Sequence, residues 1–71
     1  MLAIGTILER KRDGAIARIV DRGFAVPSQA HPGPYGKTIY TVRLANEEER
    51  SKVGGDQSGS ISWIRTYFKV Q

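Results

Sequence analysis

An Asp-Gly dipeptide near the N-terminus constrains the fold of this chain more than any other local feature. Asp13 and Gly14 stand between two segments rich in apolar and β-branched residues, "IGTILERK" and "AIARIV". Because Asp-Gly suits the backbone angles of a tight two-residue turn, this arrangement predicts a β-hairpin. With these two residues at the centre of the turn, Leu8 is expected opposite Ile19.

This register gives the hairpin one apolar face and one charged face. Arg10 and Arg12 come at the tip of the apolar face. On the other face, Glu9 is expected opposite Arg18, a cross-strand ion pair worth roughly 0.2–1 kcal/mol. Arg10, Lys11 and Arg12 therefore remain as tip cations for which we expect no partner within the chain.

The middle of the chain is predicted to contain a loop and then a strand. Residues 27–36, "PSQAHPGPYG", include all three prolines of the sequence. Proline lacks the N–H group that a central strand needs, so this segment is predicted to be a loop. The following "KTIYTVRLA" alternates apolar and polar residues, which predicts a strand with Tyr40, Val42 and Leu44 pointing inward.

The C-terminal part begins with a helix signal. Asn46 is a favourable N-cap, and the three glutamates after it predict one short helical turn over residues 47–52. A polar spacer, "DQSG", follows. The final segment, "SISWIRTYFKV", is predicted to form a strand at 61–64, a tight turn at 65–67 and a last strand at 68–70, with Phe68 in the core.

Length and composition limit the class of protein. The 71 residues suffice for one small domain, 1–71, and the absence of cysteine excludes disulfides and thiolate metal sites. No apolar run approaches the ~20 residues that span a bilayer. We therefore expect a soluble, cytoplasmic protein with no membrane partner. Because small cores often need association for stability, a homo-oligomer is an open alternative.

Two segments, "IGTILERKRDGAIARIVD" and "SGSISWIRTYFKV", resemble the SH3-like small β-barrels, which include KOW-type modules. The shared features are five short strands, a charged N-terminal hairpin and a tight link before the last strand. The resemblance covers most of the chain. It implies an all-β fold, a small five-stranded SH3-like barrel with two long loops and one short helical turn. Ala17 stands roughly where KOW-type modules commonly have glycine.

A second resemblance implies an enzyme. The plasmid-type trimethoprim-resistant dihydrofolate reductases are also small SH3-like chains, and "GSISWI" lies where their C-terminal strand has a Val-Gln-Ile-Tyr motif. The match places Ile61, Ser62, Trp63 and Ile64 at the motif positions, without the glutamine or the tyrosine. The reductase is therefore a minor alternative. Since the single histidine, His31, has no second His or Cys to complete a site, we expect no catalytic residue, metal or cofactor.

Charge points to the leading functional prediction. The chain has eleven Lys and Arg against seven Asp and Glu, a net charge of +4, and a basic protein attracts polyanions. We predict a non-catalytic module that contacts nucleic-acid phosphates without reading sequence. The candidate residues are the tip cations with four others: Arg10, Lys11, Arg12, Arg18, Lys37, Arg43 and Arg65.

Aromatic residues support an alternative prediction. SH3-like barrels usually recognise partners through aromatic side chains near their loops, which suggests a binding patch of Tyr35, Trp63 and Tyr67. These rings could stack on bases or anchor a protein partner in an interaction or regulatory module. The pattern does not decide which face of the 61–64 segment is buried. DNA, RNA and a protein partner therefore all stay open.

Overall fold

The chain forms one antiparallel sheet and two short helices. The computed structural model describes residues 2–25 and 37–71. The strands pair in the order β4-β3-β2-β1-β5, and the sheet curls into a half-barrel. The elements in chain order are β1 (Ile7–Arg10), β2 (Ile16–Ala25), β3 (Lys37–Leu44), α1 (Glu47–Lys52), β4 (Gln57–Gly59), α2 (Ile61–Tyr67) and β5 (Phe68–Val70).

The mostly β fold with five antiparallel strands is as predicted. The predicted loop at 27–36, with His31 and Tyr35, lies outside the described residues. In the two described ranges, no helix is both long and apolar enough to cross a membrane.

The first two strands form the predicted hairpin in a different register. Leu8 lies opposite Ala17, and Ile16 lies opposite Glu9. The predicted partners of Leu8 and Glu9, Ile19 and Arg18, are therefore wrong by two residues. Because side chains alternate with a period of two, this shift leaves every side chain on its predicted face. Leu8, Ala17 and Ile19 are all buried.

A longer loop explains the register. The backbone N–H of Arg10 donates to the carbonyl of Ala15 at 2.7 Å, and the N–H of Gly14 donates to the carbonyl of Arg10 at 2.7 Å. These bonds close a four-residue loop, 11–14, that ends at Gly14 with φ of 75°. The Asp13 carboxylate accepts a hydrogen bond from the N–H of Ala15 at 3.1 Å. This side-chain bond favours the wider loop over a two-residue turn.

The concave side of the sheet holds the core. The inward positions predicted for β3 are confirmed, and so are the core positions of Tyr40 and Phe68. The hydroxyl of Tyr40 accepts a hydrogen bond from the backbone N–H of Leu2 at 3.1 Å. The buried apolar residues are Leu8, Ala17, Ile19, Tyr40, Val42, Leu44, Ile64 and Phe68.

The segment predicted as a strand and a turn is instead the helix α2, so that prediction is wrong. The Ser60 hydroxyl caps the helix by accepting from the N–H of Trp63 at 3.4 Å. Apolar residues at 61, 64 and 68 follow the helical spacing, which places Ile64 in the core. This periodicity is compatible with a strand over four residues but not over eight, because Ile61, Ile64 and Phe68 do not share one parity.

The other elements are close to expectation with one exception. The helix α1 has the predicted bounds, and the Asn46 side chain accepts a hydrogen bond from the N–H of Glu49 at 3.0 Å. The exception is β4, which occupies the predicted polar spacer and pairs Ser58 with Thr41 of β3. The fourth strand therefore precedes its predicted position and gains its stability from the ladder with β3 rather than from apolar residues.

One glycine is required by packing. A Cβ atom at Gly59 would overlap the indole ring of Trp63, which lies directly against the β4 backbone. Gly59 therefore lets α2 approach the sheet closely. Gly23 in β2 provides a comparison, because a Cβ atom there would meet nothing within 4 Å.

Replacing Gly59 with alanine should lower the free energy of unfolding by about 1–3 kcal/mol, because Trp63 must move away from β4 to make room. Gly23→Ala is the matched control and should change the stability little. Urea unfolding followed by the fluorescence of Trp63, the single tryptophan, measures both. Equal stability of the two variants would contradict the packing role of Gly59.

Candidate functional site

A groove of about 550 Å³ lies between the hairpin loop, α2 and the segment that joins α1 to β4. We call it the tip groove. It brings the hairpin cations next to Trp63 and Tyr67, two members of the predicted aromatic patch, whereas Tyr35 lies outside the described residues. The lining contains no acidic residue; it consists of Arg10, Lys11, Arg12, Val53, Gln57, Trp63, Thr66 and Tyr67.

Lys11 holds the hairpin loop against α2. Its backbone N–H donates to the carbonyl of Tyr67 at 2.9 Å, and its ammonium donates to the carbonyl of Arg65 at 2.6 Å. Carbonyl groups in the last turn of a helix lack partners within the helix and attract positive charge. The loop is therefore attached to the end of α2, and the ammonium group stays at the edge of the tip groove.

Arg10 has two partners, so the expectation that it is unpartnered is wrong. Only 6% of the residue is exposed. Its guanidinium binds both carboxylate oxygens of Asp13, with Nε–Oδ1 at 2.9 Å and Nη2–Oδ2 at 2.6 Å. The Nη2 group also donates to Oε2 of Glu49 in α1 at 3.0 Å. Arg10 therefore fixes the hairpin loop to α1, with its charge balanced by two carboxylates.

The three groups alter one another's acidity. Hydrogen bonding from Arg10 lowers the pKa of the Asp13 carboxyl well below its usual range, with a further contribution from the N–H of Ala15. The pKa of Glu49 is also lowered, first by Arg10 and then by Lys52, whose ammonium lies 3.2 Å from Oε1. The hydrogen bond with Asp13 likewise raises the pKa of Arg10.

The two aromatic side chains of the tip groove differ in exposure. Trp63 is half-buried, and its ring lies edge-on to Phe68 with centroids 5.5 Å apart and against Gly59 on β4. Tyr67 is 56% exposed, with its ring centroid 6.5 Å from that of Trp63. Trp63 therefore forms a fixed wall, and Tyr67 offers ring surface to a ligand.

The remaining predicted cations lie elsewhere. Arg65 is exposed on α2 and lines a separate depression with Lys37. Arg18 and Arg43 face each other across β2 and β3, on the outer face of the sheet. The guanidinium of Arg43 binds Asp56 through Nε–Oδ1 at 3.1 Å and Nη2–Oδ2 at 3.0 Å. The structure therefore brings Lys11 and Arg12, but not these four, to the tip groove.

Sequence reasoning missed three lining residues: Val53, Gln57 and Thr66. The helical spacing of 63, 66 and 67 could have identified Thr66 as a neighbour of Trp63 and Tyr67. No local signal marks Val53 or Gln57, because the fold of the α1–β4 segment brings them to the groove.

Comparison with protein-family models, curated proteins and solved structures gives no match for this chain. Among residues 2–25 and 37–71, no three His, Cys, Asp or Glu side chains lie close enough together to hold a metal ion. The chemistry of the tip groove is therefore interpreted from its own side chains.

Replacing Arg10 with methionine should lower the stability at neutral pH and flatten its dependence on acid. The folded pKa values of Asp13 and Glu49 lie below their unfolded values of about 4. Their stabilising effect is therefore present above about pH 4 and is lost as the pH falls toward the folded values. Urea unfolding between neutral pH and about pH 2 should show a steeper loss of stability in the wild type than in Arg10→Met.

Arg10→Lys is the control for this measurement. Lysine keeps the charge but cannot bind both oxygens of Asp13 as a planar fork, so its profile should be intermediate. Identical pH profiles for the wild type and Arg10→Met would show that the ion pairs contribute nothing to the stability.

Proposed function

We propose that this chain is a non-catalytic module that binds single-stranded nucleic acid in the tip groove. The observation that supports this most directly is the exposed ring of Tyr67 beside Lys11 and Arg12 in a lining with no acidic residue. A nucleic-acid strand offers both matching groups, since its phosphates are anionic and its bases have flat aromatic faces.

Phosphate contacts come from Arg12 and Lys11. The side chain of Arg12 is 73% exposed, and its one ion pair, to Asp13, is long at 4.0 Å. The ammonium of Lys11 is bound to a neutral carbonyl, so its charge is not balanced by an acid there. Both groups can donate hydrogen bonds to phosphate oxygens and release counterions, which gives affinity without sequence preference.

The preference for a single strand follows from stacking. Within a duplex, each base is covered on both faces by its neighbours, so it cannot lie on the ring of Tyr67. An unpaired base has a free face and can also contact Thr66 and Gln57 at the groove wall. Trp63, held by Gly59 and Phe68, keeps the wall in place.

The fold agrees with a binding module. The strand order and the helix directly before β5 support the SH3-like family, which we propose as the fold family. The reductase alternative compares residues 61–64 with a motif on a strand, whereas these residues form the first turn of α2. A cytoplasmic location stays a prediction.

Replacing Tyr67 with alanine should weaken binding of a labelled single-stranded oligo-dT by about 5- to 150-fold, the loss of one stacked base at about 1–3 kcal/mol. Fluorescence anisotropy at two salt concentrations measures this, and quenching of Trp63 reports binding at the groove. The wild type should bind the single strand more tightly than a duplex of the same length, and its affinity should fall as salt rises. The absence of binding at low salt would refute the proposal.

A charge-matched pair of double variants locates the phosphate contacts. Lys11→Gln with Arg12→Gln should weaken binding and reduce the salt slope by about 2, one for each lost phosphate contact. The control, Arg22→Gln with Lys69→Gln, removes the same charge at exposed positions outside the tip groove. It should leave the salt slope near the wild-type value. Equal losses in both double variants would show that net charge, rather than the tip groove, determines binding.

A further inference from the structure

A second concave surface, of about 270 Å³, lies on the outer face of the sheet. We call it the outer patch. Its floor is aliphatic, and cations surround the floor with no acidic residue in the lining. The aliphatic members that face outward are Ile7, Ile16 and Val20, and the cations are Arg18, Arg43 and Arg50.

Strand register places the cations of the outer patch side by side. Arg18 of β2 lies directly between Ile7 of β1 and Arg43 of β3. Like charges opposite each other in a sheet are destabilising. Arg43 is neutralised by the carboxylate of Asp56, whereas Arg18 has no ion pair among residues 2–25 and 37–71. The outer patch therefore has a guanidinium ready to accept a carboxylate from outside the chain.

The aliphatic floor decides between two kinds of anionic partner. Ile16 is 45% exposed, and Ile7 and Val20 are half-buried beside it. No aromatic ring lines the outer patch, so bases would find no stacking surface. Aliphatic side chains of a polypeptide can instead pack on Ile7, Ile16 and Val20. These features favour a peptide over a nucleic acid.

We propose that the outer patch binds a segment of a partner protein that combines carboxylates with aliphatic side chains. Carboxylates of the partner bind Arg18 and Arg50, and its aliphatic residues cover Ile7 and Ile16. The bidentate contact of Asp56 with Arg43 shows the geometry that a carboxylate adopts on this row of the sheet. The outer patch shares no lining residue with the tip groove, so it can be occupied independently.

The probe is a short fluorescein-labelled peptide in which glutamate and leucine alternate. Two comparison peptides have glutamate alternating with serine and lysine alternating with leucine, and each removes one of the two features. Anisotropy titration should show binding of the first peptide and affinities at least about tenfold lower for the others. Equal binding of the glutamate–serine peptide, or no binding of the first peptide, would overturn the proposal.

Variants place the binding on the outer patch. Arg18→Glu and Ile16→Ser should each weaken the glutamate–leucine peptide at least about tenfold. Arg18→Glu removes a like-charge contact with Arg43, so the fold should be retained, and circular dichroism with urea unfolding verifies it. Lys69→Gln, an exposed change on β5, is the control and should bind as the wild type does.

Three outcomes would assign the surfaces differently and overturn the proposal. Loss of peptide binding in the Lys11→Gln and Arg12→Gln double variant, with Arg18→Glu unaffected, would place the peptide in the tip groove. Loss of oligo-dT binding in Arg18→Glu, with no peptide bound by the wild type, would assign the outer patch to nucleic acid. A dimer in light scattering that dissociates in Arg18→Glu would mean that a second copy of the chain covers the outer patch.

Discussion

The hydrogen-bonded ion pairs of Arg10 are the interaction on which the arrangement of the functional surface depends. One guanidinium binds Asp13 within the hairpin loop and Glu49 on α1. It therefore shapes the loop and fixes the loop to the rest of the chain. Because the planar group satisfies two carboxylates at once, it can lie at the edge of the core without an unpaired charge. Lys11 and Arg12, the next two residues, are then held at the tip groove beside α2.

Helix α2 completes both the core and the tip groove. Its inner side places Ile64 among the buried side chains of the half-barrel. Its other side presents Tyr67, while Trp63 rests on Gly59 of β4. The alternation of side chains along β1, β2 and β3 separates this concave side from the outer patch. One small sheet can therefore present an aromatic, cationic groove and an aliphatic, cationic patch on different faces.

Local patterns predicted the parts of the fold that depend on neighbouring residues. The hairpin, α1 and the buried face of β3 followed from a turn dipeptide, an N-cap and alternation. The register failed because the carboxylate of Asp13 binds Arg10 and Ala15 and widens the loop, which no pairwise rule for Asp-Gly includes. The fourth strand was placed too late because Gln57–Gly59 has no apolar pattern, and it forms only where β3 offers an edge.

The sequence by itself determined which side chains are buried along each strand, the position of α1 and the excess of positive charge, because these follow from periodicity, capping and composition. Only the tertiary structure decided that Arg10 is neutralised, that Tyr67 rather than Trp63 is exposed, and that Arg18 lies against Arg43. Each of these depends on contacts between elements far apart in the chain. The energy of such contacts comes from geometry and from the exclusion of water, which a local pattern does not contain.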